Sequence, residues 1–113
     1  LVALADYGPR VVALRQGHNG ATVYDREAGQ FWKVPIVRTN VVDVTGAGNA
    51  YVGGFIVGMV ETGSVHESAA RAAVSASFVI EQSGPPIITP EKEEAARERY
   101  QQTRDAVTLL EKW

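Results

Sequence analysis

The segment from Asp43 to Phe55 contains the residues of this chain whose types and spacing are most suited to chemistry. A short apolar run ends at Asp43, the chain passes through the turn TGAG at residues 45–48, and a helical pattern follows. The backbone N–H groups of residues 46–49 are predicted to point outward, without partners, at the positive end of that helix. Such a helix N-terminus binds phosphate and stabilises negative charge that develops on a phosphoryl group during transfer.

The glycines of this turn also have a purely structural interpretation. Gly46 and Gly48 permit backbone angles and close approaches that other residues avoid, and a tight strand-to-helix connection uses them without any ligand. Asp43, in the same way, has an interpretation as a carboxylate that caps the turn. The segment matches neither the GxxxxGK[ST] pattern nor the GxGxxG pattern of other phosphate-binding loops. The residues alone therefore leave both the anion site and the simple turn open.

Upstream of this segment the chain is predicted to form β-strands. The expected strands are Val11–Leu14, Ala21–Tyr24 and Gln30–Val34. Turn-rich residues at 16–20 and 26–29 make two consecutive hairpin-like connections between them. A last short strand, Val41-Val42, is expected to run into Asp43.

Two helices are predicted directly downstream of the turn. The first covers about residues 47–61 and stops at Gly63, a typical C-cap glycine. Ser64 and Glu67 have the spacing of a capping box, which opens a second, alanine-rich helix. We expect that helix to continue to about Gln82.

A third helix is predicted within residues 87–113, with Thr89 as N-cap and Pro90 in the first helical position. An apolar stripe should hold this helix against a core. The stripe consists of Ala96, Tyr100, Thr103, Val107 and Leu110. The chain then divides into strands and turns at 1–45, the TGAG turn with two helices at 46–86, and the C-terminal helix at 87–113.

The composition restricts the class of protein. The 113 residues are 45% hydrophobic with a net charge of −2, which is typical of a globular protein and argues against a nucleic-acid partner. The absence of cysteine excludes disulfides, thiolate metal sites and a cysteine nucleophile. The longest apolar run, at 50–60, is shorter than the roughly 20 residues of a membrane span. We therefore expect a cytoplasmic protein without a membrane partner. Its start at Leu1, in an apolar run without methionine, leads us to expect a piece of a larger protein.

The segment DVTGAGNAY at residues 43–51 resembles the C-terminal signature D-x-T-G-A-G-D-x-F of the ribokinase-like (PfkB) carbohydrate kinases. The run VVALRQGHNGATVY at 11–24 resembles the strand–GxxG–strand unit that the family has upstream. The alanine-rich helix that ends at Gly84-Pro85 resembles the helix that follows the signature. The resemblance thus covers most of residues 11–86, in the family's order.

The resemblance implies the C-terminal portion of an α/β, three-layer fold, in which short strands are followed by three helices packed on a largely parallel sheet. It implies transfer of the γ-phosphoryl group of ATP, with Mg²⁺, to a hydroxyl of a sugar or a similar small molecule. Family members are considerably longer than this chain, which would be their nucleotide-side, C-terminal portion. The resemblance leaves the oligomeric state open, and a dimer contact, if there is one, would lie in the N-terminal portion.

The resemblance also assigns roles to individual residues. Three positions form the anion hole that receives the transferred phosphoryl group, namely Gly46, Ala47 and Gly48, and Asn49 stands at the position of the family's catalytic base. Two further positions, Asp43 and Thr45, lie near the site at which many relatives bind a monovalent cation such as K⁺. Four lie beside the nucleotide, namely Gly17 and Gly20 in the loop and Ala73 and Ala76 in the adenine wall.

Asn49 departs from the family pattern, because the family has a general-base aspartate at this position. An amide has nearly the same shape as a carboxylate, but it is neutral and accepts no proton near neutral pH. The sequence therefore leaves two hypotheses open: a kinase with reduced or relocated base chemistry, and a pseudokinase that binds nucleotide or sugar for a regulatory or structural role. A third hypothesis is a small α/β domain unrelated to kinases.

Overall fold

The computed structural model of the chain describes residues 1–110. Its elements follow in the order α1 (Val2–Ala5), β1 (Val11–Arg15), a 3₁₀ turn (Gly17–Asn19), β2 (Ala21–Asp25), β3 (Gln30–Val34), α2 (Ala47–Thr62), α3 (Val65–Ile80), α4 (Pro90–Ala106) and β4 (Thr108–Leu110). The three strands and two hairpin connections predicted for the first third are confirmed, each strand within one residue of its expected bounds.

The four strands form one sheet in the order β1-β2-β3-β4, and every described pair is antiparallel. The expectation of a largely parallel sheet is therefore wrong for the part of the sheet that this chain builds. For β1-β2 and β2-β3 the physical reason is the length of the connections, whereas β4 pairs with β3 after the three long helices. Antiparallel strands can follow each other through short turns, whereas parallel strands need a crossover of a dozen or more residues.

The strand expected at Val41-Val42 does not form. The N–H groups of Val42 and Asp43 both donate to the carbonyl oxygen of Ile80, at 2.7 and 3.1 Å, at the C-terminal end of α3. No strand among residues 1–110 lies beside this segment to continue a ladder. The helix end replaces the sheet as its hydrogen-bond partner.

The starts of the three long helices are confirmed, and a side-chain cap sets two of them. Gly46 stands at the N-cap of α2, while the Ser64 hydroxyl accepts from the Glu67 N–H at 3.2 Å. The Thr89 hydroxyl accepts from the Lys92 N–H at 3.2 Å. Gly63 ends α2 in the left-handed conformation, as predicted.

The C-terminal helix is shorter than expected. It ends at Ala106, and Val107 turns into extended backbone, after which residues 108–110 pair with β3. Leu110 therefore lies opposite Phe31 in the sheet and does not extend the helical stripe. The rest of the expected helix, residues 111–113, lies outside the described part of the chain.

The core lies between the sheet and α3. Its buried residues come from β2, β3, α3 and the end of α4, namely Ala21, Val23, Val34, Val65, Ala69, Ala70 and Val107. The small side chains of α3 let α2 approach closely, so these two helices pack as a tight pair. None of the helices within residues 1–110 has the length and apolar character needed to cross a membrane.

Candidate functional site

The turn before α2 is fixed by Asp43. Its Oδ1 accepts the Thr45 backbone N–H at 2.9 Å. This bond, with a second from the Thr45 side chain, holds the pKa of the Asp43 carboxyl below its ordinary value. Gly46 then takes a positive φ of 86°, which a residue with a side chain rarely adopts. Gly48 is helical and needs no such freedom, so only one of the two glycines is required by the turn itself.

The N-terminus of α2 presents backbone donors, but fewer than expected. The Ala47 N–H donates to the Val44 carbonyl oxygen at 3.2 Å, so the expectation of an unpaired group at Ala47 is wrong. A non-helical turn at Val44–Ala47 brings that carbonyl within reach. Within the described chain, the N–H groups of Gly46, Gly48 and Asn49 have no hydrogen-bond acceptor. Three donors at the positive end of the helix therefore remain for an anion.

A hydrogen-bonded network anchors the loop that leads to this turn. The Thr39 hydroxyl donates to Glu81 Oε2 at 2.5 Å, and Arg99 on α4 donates to the same oxygen at 2.8 Å. Together with the two bonds to the Ile80 carbonyl, this ties the loop to the end of α3. The position of Asp43 thus depends on contacts with both α3 and α4.

The Glu81 network predicts a pH dependence. Burial raises the pKa of Glu81, but hydrogen bonds from Thr39 and Arg99 and the charges of Arg99 and Lys92 outweigh it, so the pKa lies below its ordinary 4.5. A lowered pKa stabilises the fold above the unfolded-state pKa, and that stabilisation is lost as the pH falls through the folded-state value. In Glu81→Gln we expect a lower free energy of unfolding at neutral pH and a flatter pH profile below about pH 4.5. Urea unfolding between pH 3 and 7 measures both the free energy of unfolding and its dependence on pH. The exposed Glu94→Gln is the control, and an unchanged profile in Glu81→Gln contradicts the prediction.

A cavity of about 130 Å³ lies between the end of β1, the loop that follows it, helix α3 and Tyr51 of α2. The four residues expected next to the nucleotide all line it: Gly17, Gly20, Ala73 and Ala76. Gly20 packs so closely on the Val34 carbonyl oxygen, with a φ of 81°, that a Cβ has no room there. The structure thus brings the loop and α3 to one cavity, while their role in nucleotide binding stays a prediction.

Two residues of this cavity were missed in the sequence. Arg15, at the end of β1, places its guanidinium carbon 4.9 Å from the centre of the Tyr51 ring. Tyr51 is 6% exposed, and its hydroxyl is buried without a hydrogen-bond partner in the described chain. Burial raises the pKa of this hydroxyl, so it stays protonated and can donate. The tyrosine in place of the family's phenylalanine was the signal for a polar group here.

Asn49 is exposed in the first turn of α2. Neither histidine is placed as an evident substitute base. The His66 ring stacks on Trp32 with 5.0 Å between ring centroids, and its Nε2 donates to the Arg104 carbonyl oxygen at 2.7 Å. His18 lies in the 3₁₀ turn, exposed. Residues 1–110 also contain no cluster of three or more His, Cys, Asp or Glu side chains that could hold a metal ion.

Comparison with known proteins gives matches along most of the chain. The cytidine kinase of Thermococcus kodakarensis is 38% identical over 55 residues, which cover 49% of this chain and 20% of that kinase. The ribokinase of Lactococcus lactis is 33% identical over 81 residues, which cover 72% of this chain and 26% of the ribokinase. The crystal structure of the Methanocaldococcus jannaschii nucleoside kinase, a member of the ribokinase family, aligns with a TM-score of 0.69 at 25% identity, over 82% of this chain and 30% of that one.

The chain thus spans between about a fifth and a third of the length of these proteins. The structural match confirms the α/β fold class of the ribokinase type, and the hypothesis of an unrelated α/β domain is wrong. A family model described as pfkB family carbohydrate kinase matches residues 1–93. The chain therefore belongs to the pfkB family of carbohydrate kinases.

Proposed function

We propose that this chain is the nucleotide-binding portion of a kinase that transfers the γ-phosphoryl group of ATP to a hydroxyl of a sugar or a related small molecule. One observation carries the proposal: the Gly17–Gly20 loop, helix α3 and Tyr51 of α2 line one cavity. Ala73 and Ala76 line the cavity, and their small side chains leave room for a flat base. The cavity also reaches Arg15, beside the free N–H groups of α2.

The N-terminus of α2 is the part that acts on the transferred group. As the oxygen of the acceptor hydroxyl bonds to phosphorus and the bond to the leaving ADP oxygen breaks, negative charge lies on the phosphoryl oxygens. The N–H groups of Gly46, Gly48 and Asn49, together with the helix dipole, stabilise that charge without rearrangement. The acceptor hydroxyl must also lose its proton; the neutral amide of Asn49 does not take it, so the proton passes to solvent water or to a base at another position.

The proposed activity involves two kinds of cation. Mg²⁺ is usually held by one or two carboxylates together with substrate phosphates, so it would arrive with ATP and shield its charge. A monovalent cation is placed near Asp43 and Thr45, because a carboxylate ionised at neutral pH and a hydroxyl offer it oxygen ligands. We place the activity in the cytoplasm, where ATP is available, and any dimer contact outside this chain.

A pseudokinase is the second candidate, and Asn49 favours it. General-base catalysis typically contributes about 10²- to 10⁴-fold to a rate, and the position of the base holds an amide. The anion-binding turn, the cavity and the loop do not depend on that base. A protein of this kind would bind nucleotide or sugar without efficient turnover and act through its bound state.

Both candidates predict nucleotide binding, which thermal unfolding measures directly. We expect millimolar ADP or ATP to raise the Tm of the full-length protein. At a ligand concentration of about 100 Kd the gain in stability is about 2.7 kcal/mol. A panel of sugars and nucleosides, assayed for ATP-dependent phosphorylation, then separates the two candidates and identifies the acceptor class. An unchanged Tm with both nucleotides rejects the kinase and the nucleotide-binding form of the pseudokinase, and leaves only a pseudokinase that binds sugar.

A further inference from the structure

Arg99, on α4, connects two parts of the molecule that border the cavity. Its Nη1 donates to the Ser77 hydroxyl at 3.0 Å, and Ser77, which is 2% exposed, belongs to the wall that α3 gives to the cavity. Its Nη2 donates to Glu81 Oε2 at 2.8 Å, and the same oxygen accepts the Thr39 hydroxyl. One guanidinium therefore contacts the wall of the cavity and, through one carboxylate, the loop that follows β3.

The position of this guanidinium is fixed by an aromatic ring as well as by its two hydrogen bonds. Its central carbon lies 4.1 Å from the centre of the Phe78 ring, which is the distance of a cation–π contact. The side chains of Arg99 and Glu81 are 23% and 19% exposed, so their ion pair is partly shielded from water. The Ser77 hydroxyl in turn donates to the Val74 carbonyl oxygen at 2.6 Å, which fixes its direction. Arg99 is thus a rigid support for the Glu81 carboxylate.

The loop that this carboxylate holds has little other support. Residues 35–46 form neither helix nor strand. From the start of the loop to residue 41, the Thr39 hydroxyl makes its only hydrogen bond to another element within residues 1–110. The first residues of the loop, 35–37, line the cavity, and its later residue Asp43 fixes the turn before α2. A displacement of Thr39 therefore changes both the cavity and the approach to the turn.

We propose that Arg99 is a positioning residue of the nucleotide site, and that through Glu81 and Thr39 it holds the loop and the turn in the arrangement that binds the ligand. The inference rests on the function proposed above and adds to it a residue of α4 that does not itself line the cavity. A site that is ordered before its ligand arrives binds more tightly, because no ordering of the loop then opposes binding. When only a fraction of the molecules has the competent arrangement, the apparent affinity falls by that fraction.

The first test is calorimetric titration of the full-length protein with ADP. Arg99→Met keeps a long apolar side chain and removes the charge, and we expect the affinity for ADP to fall about 5- to 20-fold, because the competent arrangement is then present in only about 5–20% of the molecules. Arg99→Lys should recover part of the affinity, since lysine keeps the charge that pairs with Glu81. Arg104→Met is the matched control on the same helix. It breaks the 3.5 Å ion pair with Glu67, at the opposite end of α3, and should leave the ADP affinity within about twofold of the wild type.

Hydrogen–deuterium exchange separates positioning from a general effect on stability. In Arg99→Met the amides of residues 39–43 should exchange at least about fivefold faster, because local opening of the loop becomes more frequent. The amide of Ala72, in the middle of α3, should keep its rate. Thr39→Val should also weaken ADP binding, and its combination with Arg99→Met should add less than about a twofold further loss, since both substitutions act on the same contact with Glu81.

Several outcomes would reject the inference. An unchanged ADP affinity in Arg99→Met means that the loop keeps its position without the guanidinium. An equal loss in Arg104→Met means that any weakening of the contact between α4 and α3 is sufficient, and faster exchange throughout α2 and α3 means that Arg99 stabilises the fold as a whole. Losses that multiply in the double variant mean that Arg99 does not act through Thr39. If the wild type itself binds no ADP, the proposed function fails, and the inference falls with it.

Discussion

Replacement of Asn49 by aspartate in the full-length protein is expected to raise kcat for ATP-dependent phosphorylation about 10²- to 10⁴-fold, the usual contribution of a general base. Asparagine and aspartate have nearly the same shape, so the turn that precedes Asn49 should be unchanged. Asn49 is exposed in the first turn of α2, where a bound acceptor has access to it. Steady-state kinetics with the best acceptor of the panel measures the change.

The helix position favours the ionised form of the new carboxyl. Negative charge in the first turn of a helix is stabilised by about 0.3–1 kcal/mol, so the carboxylate is present at neutral pH and can accept the proton. The same effect raises the stability of Asn49→Asp whether or not the protein is a kinase. A gain in Tm alone is therefore no support, and the kinetic measurement must carry the conclusion.

Asn40→Asp is the matched control, because it adds the same charge to an exposed asparagine in the loop before the turn. It should leave kcat unchanged. Strong turnover in the wild type that falls in Asn49→Asp would reject the pseudokinase and require a base from elsewhere in the protein. No activity in Asn49→Asp, with ADP binding intact, would mean that a lost base is not the limiting defect, and would favour a binding role.

The parts of the fold that depend on neighbouring residues in the sequence were predictable. Ser64 and Thr89 cap their helices through bonds to residues three positions ahead, and Gly63 ends α2 through its own backbone angle. The hairpin strands were predictable because their turns are short and their residues are β-branched or aromatic. The end of α4 was not, because residues 108–110 leave the helical stripe to pair with β3, far away in the sequence.

The residues of the candidate site also differ in whether the sequence could identify them. The TGAG turn is a local motif, and its resemblance to a known signature identified it. Arg15 and Tyr51 were not identified as site residues, although both lie in segments that resemble the family's, because their contact exists only when the end of β1 meets the first turns of α2. The Ala47 N–H was expected to be free because its bond to Val44 requires a turn that the sequence does not specify.

Gly58→Ala is expected to lower the free energy of unfolding by about 1–3 kcal/mol, the usual cost of overpacking, although alanine is the better helix former by about 1 kcal/mol. Gly58 is buried where α2 crosses α3, and a Cβ there would lie 2.7 Å from the Cα of Ser68. Ser68 cannot yield, because it is fully buried and its hydroxyl donates to the Ser64 carbonyl oxygen at 2.6 Å. The two helices must therefore separate.

Gly53→Ala is the matched control in the same helix, since nothing lies within 4 Å of a Cβ at that position. There the gain in helix propensity should stabilise the protein by up to about 1 kcal/mol. Urea unfolding of the full-length protein, followed by tryptophan fluorescence, should show a lower midpoint for Gly58→Ala with an unchanged m-value. Because α2 carries the anion-binding turn and α3 lines the cavity, Gly58→Ala should also weaken ADP binding more than Gly53→Ala does. Equal effects of the two substitutions on stability would contradict the close packing of α2 on α3.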